Sequence, residues 1–311
     1  QVKILRKTIA SEMGFIMPPV RSQDNLQLPS DQYVVRVKEL EVGAGEVRPN
    51  RLLVMSPQGG LPNLQGEITK EPAFGLQAMW IDPSLREEAT FANYTVVDPA
   101  SVIVTHLSEL VRENLSDLLT YAETQKLLDE LPRDEQKLVA DIIPSQISLG
   151  AVQRVLQSLL VERVSIRDLT TILEGVQEAC GQGVRGVSQI VAHVRIRLCR
   201  QISAVATGPS GYIPIITLSP LWEGIFLDSM VGPPEDRQLA MPPTKLNEFI
   251  TKLRSVFDQA GASGDQPVVV VNGGIREAMH AIMERLRPST MVLAQGEIAP
   301  RAKIRTIATV Q

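Results

Sequence analysis

Aromatic side chains are scarce in this chain of 311 residues, with two Trp, four Tyr and six Phe. Leu, Ile, Val and Ala must therefore build its cores, and a Phe on a turn stands out. Only two cysteines occur, Cys180 and Cys199, with neither CxxC nor metal-type spacing. That excludes a disulfide scaffold and a zinc ribbon, and it fits a reduced, cytosolic protein. A basic excess is also missing: 31 Lys and Arg stand against 35 Asp and Glu, a net charge of −4, so no positive field invites nucleic acid. No stretch approaches the roughly 18 uncharged apolar residues of a membrane helix, and Gln1-Val2-Lys3-Ile4-Leu5-Arg6-Lys7 holds no signal-peptide core. The chain lacks an initiator Met, so a piece of a longer protein is expected, with a strand, a linker or a membrane anchor before Gln1.

What is present reads as a folded protein of about two domains or more. The first hundred residues suggest mixed α and β structure, with strands at Tyr33 to Lys38, Leu52 to Met55 and Tyr94 to Val97. Asp98-Pro99 predicts a helix start, Asp as N-cap and Pro at the first helical position. That helix aligns Ile103, Leu107, Leu110, Val111, Leu115 and Leu118 against the preceding sheet. Helical stripes follow: Leu149, Val152, Val155, Leu156, Leu159 and Leu160; then Ile166, Leu169, Ile172, Leu173 and Val176; then Val187, Ile190, Val191, Val194 and Leu198. Beyond Ala206 the pattern becomes α/β, with a strand at Tyr212 to Leu218 and helices at Leu221 to Met230 and Thr244 to Ala260. The breaks between them are Gly232-Pro233-Pro234 and Met241-Pro242-Pro243. A strand, helix, strand unit follows over Val268 to Val271, Ile275 to Leu286 and Met291 to Ala294, and Lys303 to Val310 is a last strand. Charge is uneven: residues 101–150 carry four basic and nine acidic side chains, residues 151–200 seven and four. Solvated helix faces explain this, as do complementary faces within or between chains.

Catalytic patterns are few. Gly181 to Gly186 matches G-x-G-x-x-G, but a helix precedes it where a dinucleotide site needs a strand, so it reads as a helix-to-helix loop. Asn272-Gly273-Gly274 does join a strand to a helix and is the better phosphate candidate, although a tight turn explains it as well. His106, His193 and His280 fall on three different helices without ligand spacing, so no metal site is expected, and His106 is assigned a local hydrogen bond. No cofactor and no enzymatic function are expected; a binding or structural role is.

One segment invites a binding role. Glu71-Pro72-Ala73-Phe74-Gly75-Leu76 puts a rare Phe on a Pro/Gly-bounded turn. Composition favours a ring tucked under the loop; a ring presented beside Pro57, Leu76, Val97 and Val102 would instead form a shallow apolar pocket for a partner's anchor, with Thr105 on its polar rim.

The same segments resemble the cytoplasmic region of the FHIPEP family of type III export gate proteins, in its flagellar branch. The matching strings run in order: Met13-Gly14-Phe15 with Pro18-Pro19-Val20 and Asp24-Asn25; Glu41 to Gly45; Glu71 to Leu76; Tyr94 to Pro99; Thr105-His106-Leu107; Val155 to Leu160; and Ile166 to Leu169 with Thr171 to Glu174. The C-terminal third matches only in its strand, helix, strand pattern.

The resemblance implies a non-enzymatic docking platform at the cytoplasmic face of the bacterial inner membrane, built from four subdomains and assembled as a nine-membered ring. The first subdomain would comprise residues 1–49 with 99–118, incomplete at its N-terminus, and the second, 50–98, would be inserted into it. A helical third would cover 119–198 and an α/β fourth 199–311. Implied partners are flagellar export chaperones with bound substrates and other export components, including the ATPase complex; the membrane is met only through a missing N-terminal half. Phe74 would anchor the chaperone, Leu76, Pro57, Val97 and Val102 wall the pocket, and Glu71 with Thr105 form the polar rim. Glu71 stands where the family usually has Asp. Two alternatives remain: the homologous gate of a virulence injectisome, and an α/β enzyme of phosphometabolites or nucleotides.

Overall fold

A computed structural model describes residues 1–233, 237–261 and 266–311, so Pro234 of the expected break lies outside the described residues. The chain divides into two compact units, Gln1–Glu123 and Thr124–Gln311.

In the first unit, α1 (Val2–Met13) buries Leu5, Ile9 and Met13, one face at i, i+4 spacing, and ends at Gly14 in the left-handed conformation. The sequence reading did not place this helix. β1 (Gln32–Val37) and β2 (Leu40–Glu46) form an antiparallel hairpin. Its two-residue turn, Lys38-Glu39, has positive φ at both positions, the geometry that matches strand twist. β2 was also missed, because Gly43 and Gly45 make it read as loop. At Gly43 a Cβ would fall 2.5 Å from a terminal methyl of Leu110, so the bare glycine lets that side chain sit against β2.

Four antiparallel strands follow, β3 (Leu52–Met55), β4 (Gly66–Lys70), β5 (Gln77–Ile81) and β6 (Thr95–Val97), in the order β4-β5-β3-β6. Alternation along β3 and β5 gives the sheet two apolar faces. Leu53, Ala78 and Trp80 pack with Val102, whereas Val54, Met79 and Ile81 pack with Ala89 of α2 (Arg86–Phe91). Val102 belongs to α3 (Pro99–Glu113), whose N-cap Asp98 accepts from the Ser101 N–H as expected. The helix breaks at Asn114 before the short α4 (Leu115–Leu118), so Leu118 is only half-buried.

α5 (Tyr121–Asp129) carries the chain into the second unit, followed by α6 (Arg133–Ile142), α7 (Leu149–Val161), α8 (Leu169–Gly181), α9 (Val187–Arg197) and α10 (Cys199–Ala206). The expected stripes of α7 and α8 are fully buried, while Val187 of the third is half-buried. Ile166 is buried but precedes α8, which starts at the Asp168 cap.

The rest is a parallel α/β layer. β7 (Ile213–Leu218), α11 (Pro220–Asp228), the small pair β8 (Met230–Val231) and β9 (Gln238–Leu239), α12 (Pro243–Gly261), β10 (Val268–Val271), α13 (Arg276–Leu286), β11 (Val292–Ala294) and β12 (Ile304–Val310) follow in sequence. The main sheet runs β11-β10-β7-β12, and all its pairings are parallel. Its strands near the middle, β7 and β10, are almost wholly buried. Trp222, Phe226 and Phe249 interlock edge to face over this sheet. Fold class is as expected: interleaved small α/β layers, an all-helical part and a C-terminal α/β layer.

A buried charge network ties the helical part to that layer. The Arg195 guanidinium of α9 donates to both Glu297 oxygens at 2.8 and 2.7 Å and reaches Glu162 at 3.0 Å. Arg276 holds Glu162 at 2.5 and 3.0 Å. Arg195 and Glu297 are each 1% exposed. Two positive and two negative charges cancel, as burial requires.

Candidate functional site

The Phe74 turn joins β4 to β5. The Glu71 N–H donates to the Leu76 carbonyl at 2.8 Å, extending the strand ladder, and the Gly75 N–H donates to the Glu71 carbonyl at 2.9 Å. The Glu71 carboxylate folds back beneath the turn, accepting from the N–H groups of Ala73 (2.8 Å) and Phe74 (2.7 Å). Gly75 takes φ +67, which a side chain would resist. Four hydrogen bonds thus fix the loop and turn Phe74 and Leu76 outward, 60% and 53% exposed. Composition alone favoured a tucked ring. The buried carboxylate overrides it by satisfying the turn from within.

Of the remaining candidates, Pro57 and Leu76 share one end of the sheet, whereas Val97 pairs with Leu53, farther along β3. Register pairs Met55 with Ala78, so Pro57, two residues beyond β3, and Leu76, just before β5, stand at the same end of the sheet. Pro57 is exposed and Val97 half-buried. Thr105 is exposed, one turn along α3 from Val102.

Two assignments need correction. Val102 is 2% exposed within the Leu53, Ala78 and Trp80 cluster, because 102, 106 and 110 form the inward face of α3, so it offers no surface. Glu71, expected on the polar rim, is 4% exposed, its oxygens being taken up by the turn's own amides. Of the two residues expected on the rim, Thr105 is the exposed one.

His106 differs from expectation as well. Its Nδ1 shares a hydrogen bond of 2.7 Å with the hydroxyl of Tyr33, 73 residues away, and the rings meet edge-on at 5.8 Å. Burial pushes the Tyr33 phenol up to about 12, helped by the negative field of Glu71. Burial also holds the His106 imidazole below its usual value, against the pull of Glu71 and Glu113. Sequence spacing gave no sign of this contact.

Among the described residues, no group of three or more His, Cys, Asp or Glu is placed to hold a metal ion. Cys180 and Cys199 are free thiols. Gly181 to Gly186 does lie in the connection from α8 to α9. At Asn272-Gly273-Gly274 the Gly274 N–H is already donated to the Asn272 side chain at 2.9 Å, which occupies the amide a phosphate would need. No helix among the described residues is long and apolar enough to cross a membrane. What the site offers is an exposed aromatic and aliphatic pair on a rigid turn.

The FHIPEP family matches residues 1–303. The chain belongs to the FHIPEP family. It is 53% identical over 310 residues to the flagellar biosynthesis protein FlhA of Caulobacter vibrioides, covering 100% of this chain and 44% of that protein. To the FlhA of Escherichia coli it is 32% identical over 310 residues, with the same coverage. The chain therefore spans less than half the length of these relatives. Members of the family are components of transport and not enzymes, which retires the phosphometabolite reading. Among solved structures, the CdsV protein of Chlamydia pneumoniae superposes with a TM-score of 0.85 at 21% identity, over 100% of this chain and 89% of that one. The nonameric SctV-C of EPEC gives 0.77 at 20% identity, over 100% and 93%. At such identities the likeness is one of fold.

Proposed function

We propose that this chain is the cytoplasmic docking platform of a flagellar type III export gate, at the inner face of the bacterial inner membrane, and that it receives export chaperones carrying their substrates. The observation that carries the reading is Phe74, one of six phenylalanines, held 60% exposed by a turn whose own carboxylate is spent on fixing it. An exposed aromatic on a rigid support suits an interface anchor, because little ordering entropy is lost on binding. Leu76, Pro57 and Val97 extend the apolar surface, Thr105 adds a hydroxyl, and Val102 and Glu71 support from within. The flagellar branch is favoured over the injectisome by the 53% identity to a flagellar relative.

The four-subdomain division fits this reading: the hairpin with α1 and α3, the inserted sheet at 50–98, the helices of 119–198 and the α/β layer of 199–311. A nine-membered ring is proposed by analogy with the nonameric SctV-C. Contact with other export components, including the ATPase complex, has a parallel in the complex of CdsV with CdsO.

Calorimetry of flagellar export chaperone–substrate complexes with the wild-type chain and with Phe74→Ala tests the site. Truncating a central anchor costs more than about 1 kcal/mol, a loss of fivefold or more in affinity, with an unchanged melting temperature. Equal affinity for every complex would overturn the assignment.

A further inference from the structure

Phe74 and Leu76 stand at the tip of the β4–β5 hairpin, whose two strands are held unequally. The apolar clusters on either face of the sheet draw on β3, β5 and β6. β4 lies at the edge, its five residues alternating between exposed and half-buried. Charge reaches it from outside the sheet. Arg48, two residues past β2, donates to both Glu67 oxygens, Nε to Oε2 at 3.1 Å and Nη2 to Oε1 at 2.6 Å, a two-pronged grip that fixes direction as well as distance. Its Nη1 donates to Glu46, the last residue of β2, at 2.5 Å and lies 3.5 Å from Asp31, which precedes β1. The Val47 N–H donates to the Asp31 carbonyl at 2.9 Å, and Val47 packs with the cluster that contains Val102 of α3. The backbone that carries Arg48 is thus tied to the β1–β2 hairpin and to α3. A turn with Pro49 at its second position, closed by the Arg51 N–H on the Arg48 carbonyl at 3.1 Å, brings Arg51 to 3.6 Å from Glu67 as well.

We propose that Arg48 and Glu67 are positioning residues of the docking site: their ion pair pins the edge strand β4 to the β1–β2 hairpin and so sets the direction in which the β4–β5 tip presents Phe74 relative to Thr105 on α3. At about 3.3 Å per residue, Glu67 stands about 10 Å along β4 from Lys70, and the Glu71 turn follows at once. A tilt allowed at Glu67 is therefore carried to the tip. The functional meaning rests on the docking reading, whereas the pinning of β4 is tested without it.

Glu67→Gln keeps the shape of the side chain and removes its charge; Arg48→Met keeps the stem and removes the guanidinium. In the free chain, the N–H residual dipolar couplings of Phe74, Gly75 and Leu76, scaled to those of α3, should shrink in both variants, because a tip free to rock averages its bond directions. The couplings within α3 should keep their wild-type ratios. Tip couplings of wild-type size in both variants overturn the proposal.

The second arm is calorimetry with a flagellar export chaperone–substrate complex. Each variant should lose about two- to fivefold in affinity, the range for a partly exposed ion pair, and the double variant should lose no more than the worse single one. The two substitutions change net charge in opposite senses, so a simple attraction of the partner to this face would move the affinity in opposite directions. With Phe74 already Ala, Glu67→Gln should change affinity less than twofold. Where Phe74→Ala weakens binding, unchanged affinity in both single variants, opposite shifts, losses that add, or an undiminished effect of Glu67→Gln in the Phe74→Ala background each overturn the positioning role. If the tip couplings shrink while Phe74→Ala leaves binding untouched, the docking reading falls and the pinning of β4 stands.

Discussion

Arg195→Ala should destabilise the second unit by about 3–5 kcal/mol at pH 7, the range for removing one partner from a buried ion pair. The substitution deletes both bonds to Glu297, the contact with Glu162 and a 3.3 Å bond to the Val292 carbonyl. Arg276 alone then faces two carboxylates, leaving one excess negative charge where Glu297 is 1% exposed. Coulomb's law at an effective dielectric of about 20 gives roughly 4–6 kcal/mol for one pair at these separations, so the range is physically reasonable.

The effect should also depend on pH. In the wild-type chain burial works to raise the Glu162 carboxyl, but Arg195 and Arg276 outweigh it and hold it below its ordinary value. Its contribution to stability is therefore present above the unfolded pKa and lost as pH falls through the lower folded one. In the variant the uncompensated carboxylate is raised instead and binds a proton in the folded state, so the deficit shrinks between pH 7 and pH 5. Urea unfolding at both pH values measures this through Trp222, which is 1% exposed in the second unit; a Trp80→Phe background removes the other indole. A loss below about 1 kcal/mol at pH 7, or the same loss at both pH values, would refute the argument.

Gly75→Ala should strain the turn by about 1–2 kcal/mol through its positive φ, without a clash, since no heavy atom lies within 4 Å of the added Cβ; chemical-shift changes spreading beyond the β4–β5 turn would contradict this. Spectrophotometric titration should show one of the four tyrosines ionising near pH 12. Because its folded pKa is raised, the stability it contributes is present below the ordinary value of 10 and lost as pH climbs toward 12; Tyr33→Phe should delete that late step. Asp98→Ala should cost about 0.5–2 kcal/mol as a lost N-cap. The Ser101 hydroxyl and N–H hold the Asp98 carboxyl low, so the cap weakens as pH falls through its folded pKa, and acid unfolding of the first unit should start at a higher pH in the variant.

Legibility of the fold in sequence followed how local the determining forces are. β3 and β10 fall where short apolar runs predict them, and α3 starts where Asp98-Pro99 predicts it. The stripes of α7 and α8 reappear as cores because the helical period alone selects them. β2 escaped because its glycines answer to side chains outside the strand, Gly43 to Leu110 and Gly45 to Tyr33. Val102 and Glu71 were expected at a surface but are buried, Val102 because its face of α3 meets the sheet and Glu71 because its oxygens accept from the amides of its own turn. The bonds from Tyr33 to His106 and from Arg195 to Glu297 span 73 and 102 residues, and nothing in the local sequence announces them.

The pairing of β12 with β7 also bears on how the chain emerges from the ribosome. Residues 304–310 pair with 213–218, so one side of β7 has no ladder partner until synthesis has passed Val310. Trp222 likewise waits for the carbonyl of Gln311, to which its indole N–H donates at 3.0 Å. While translation covers the intervening stretch, β7 presents Ile213, Ile215 and Ile216 on an open edge, the kind of surface that recruits stray strands. Closing that edge must therefore wait until β12 has been made and has left the ribosome, and shielding by chaperones of the general folding machinery is most valuable in the interval before β12 arrives.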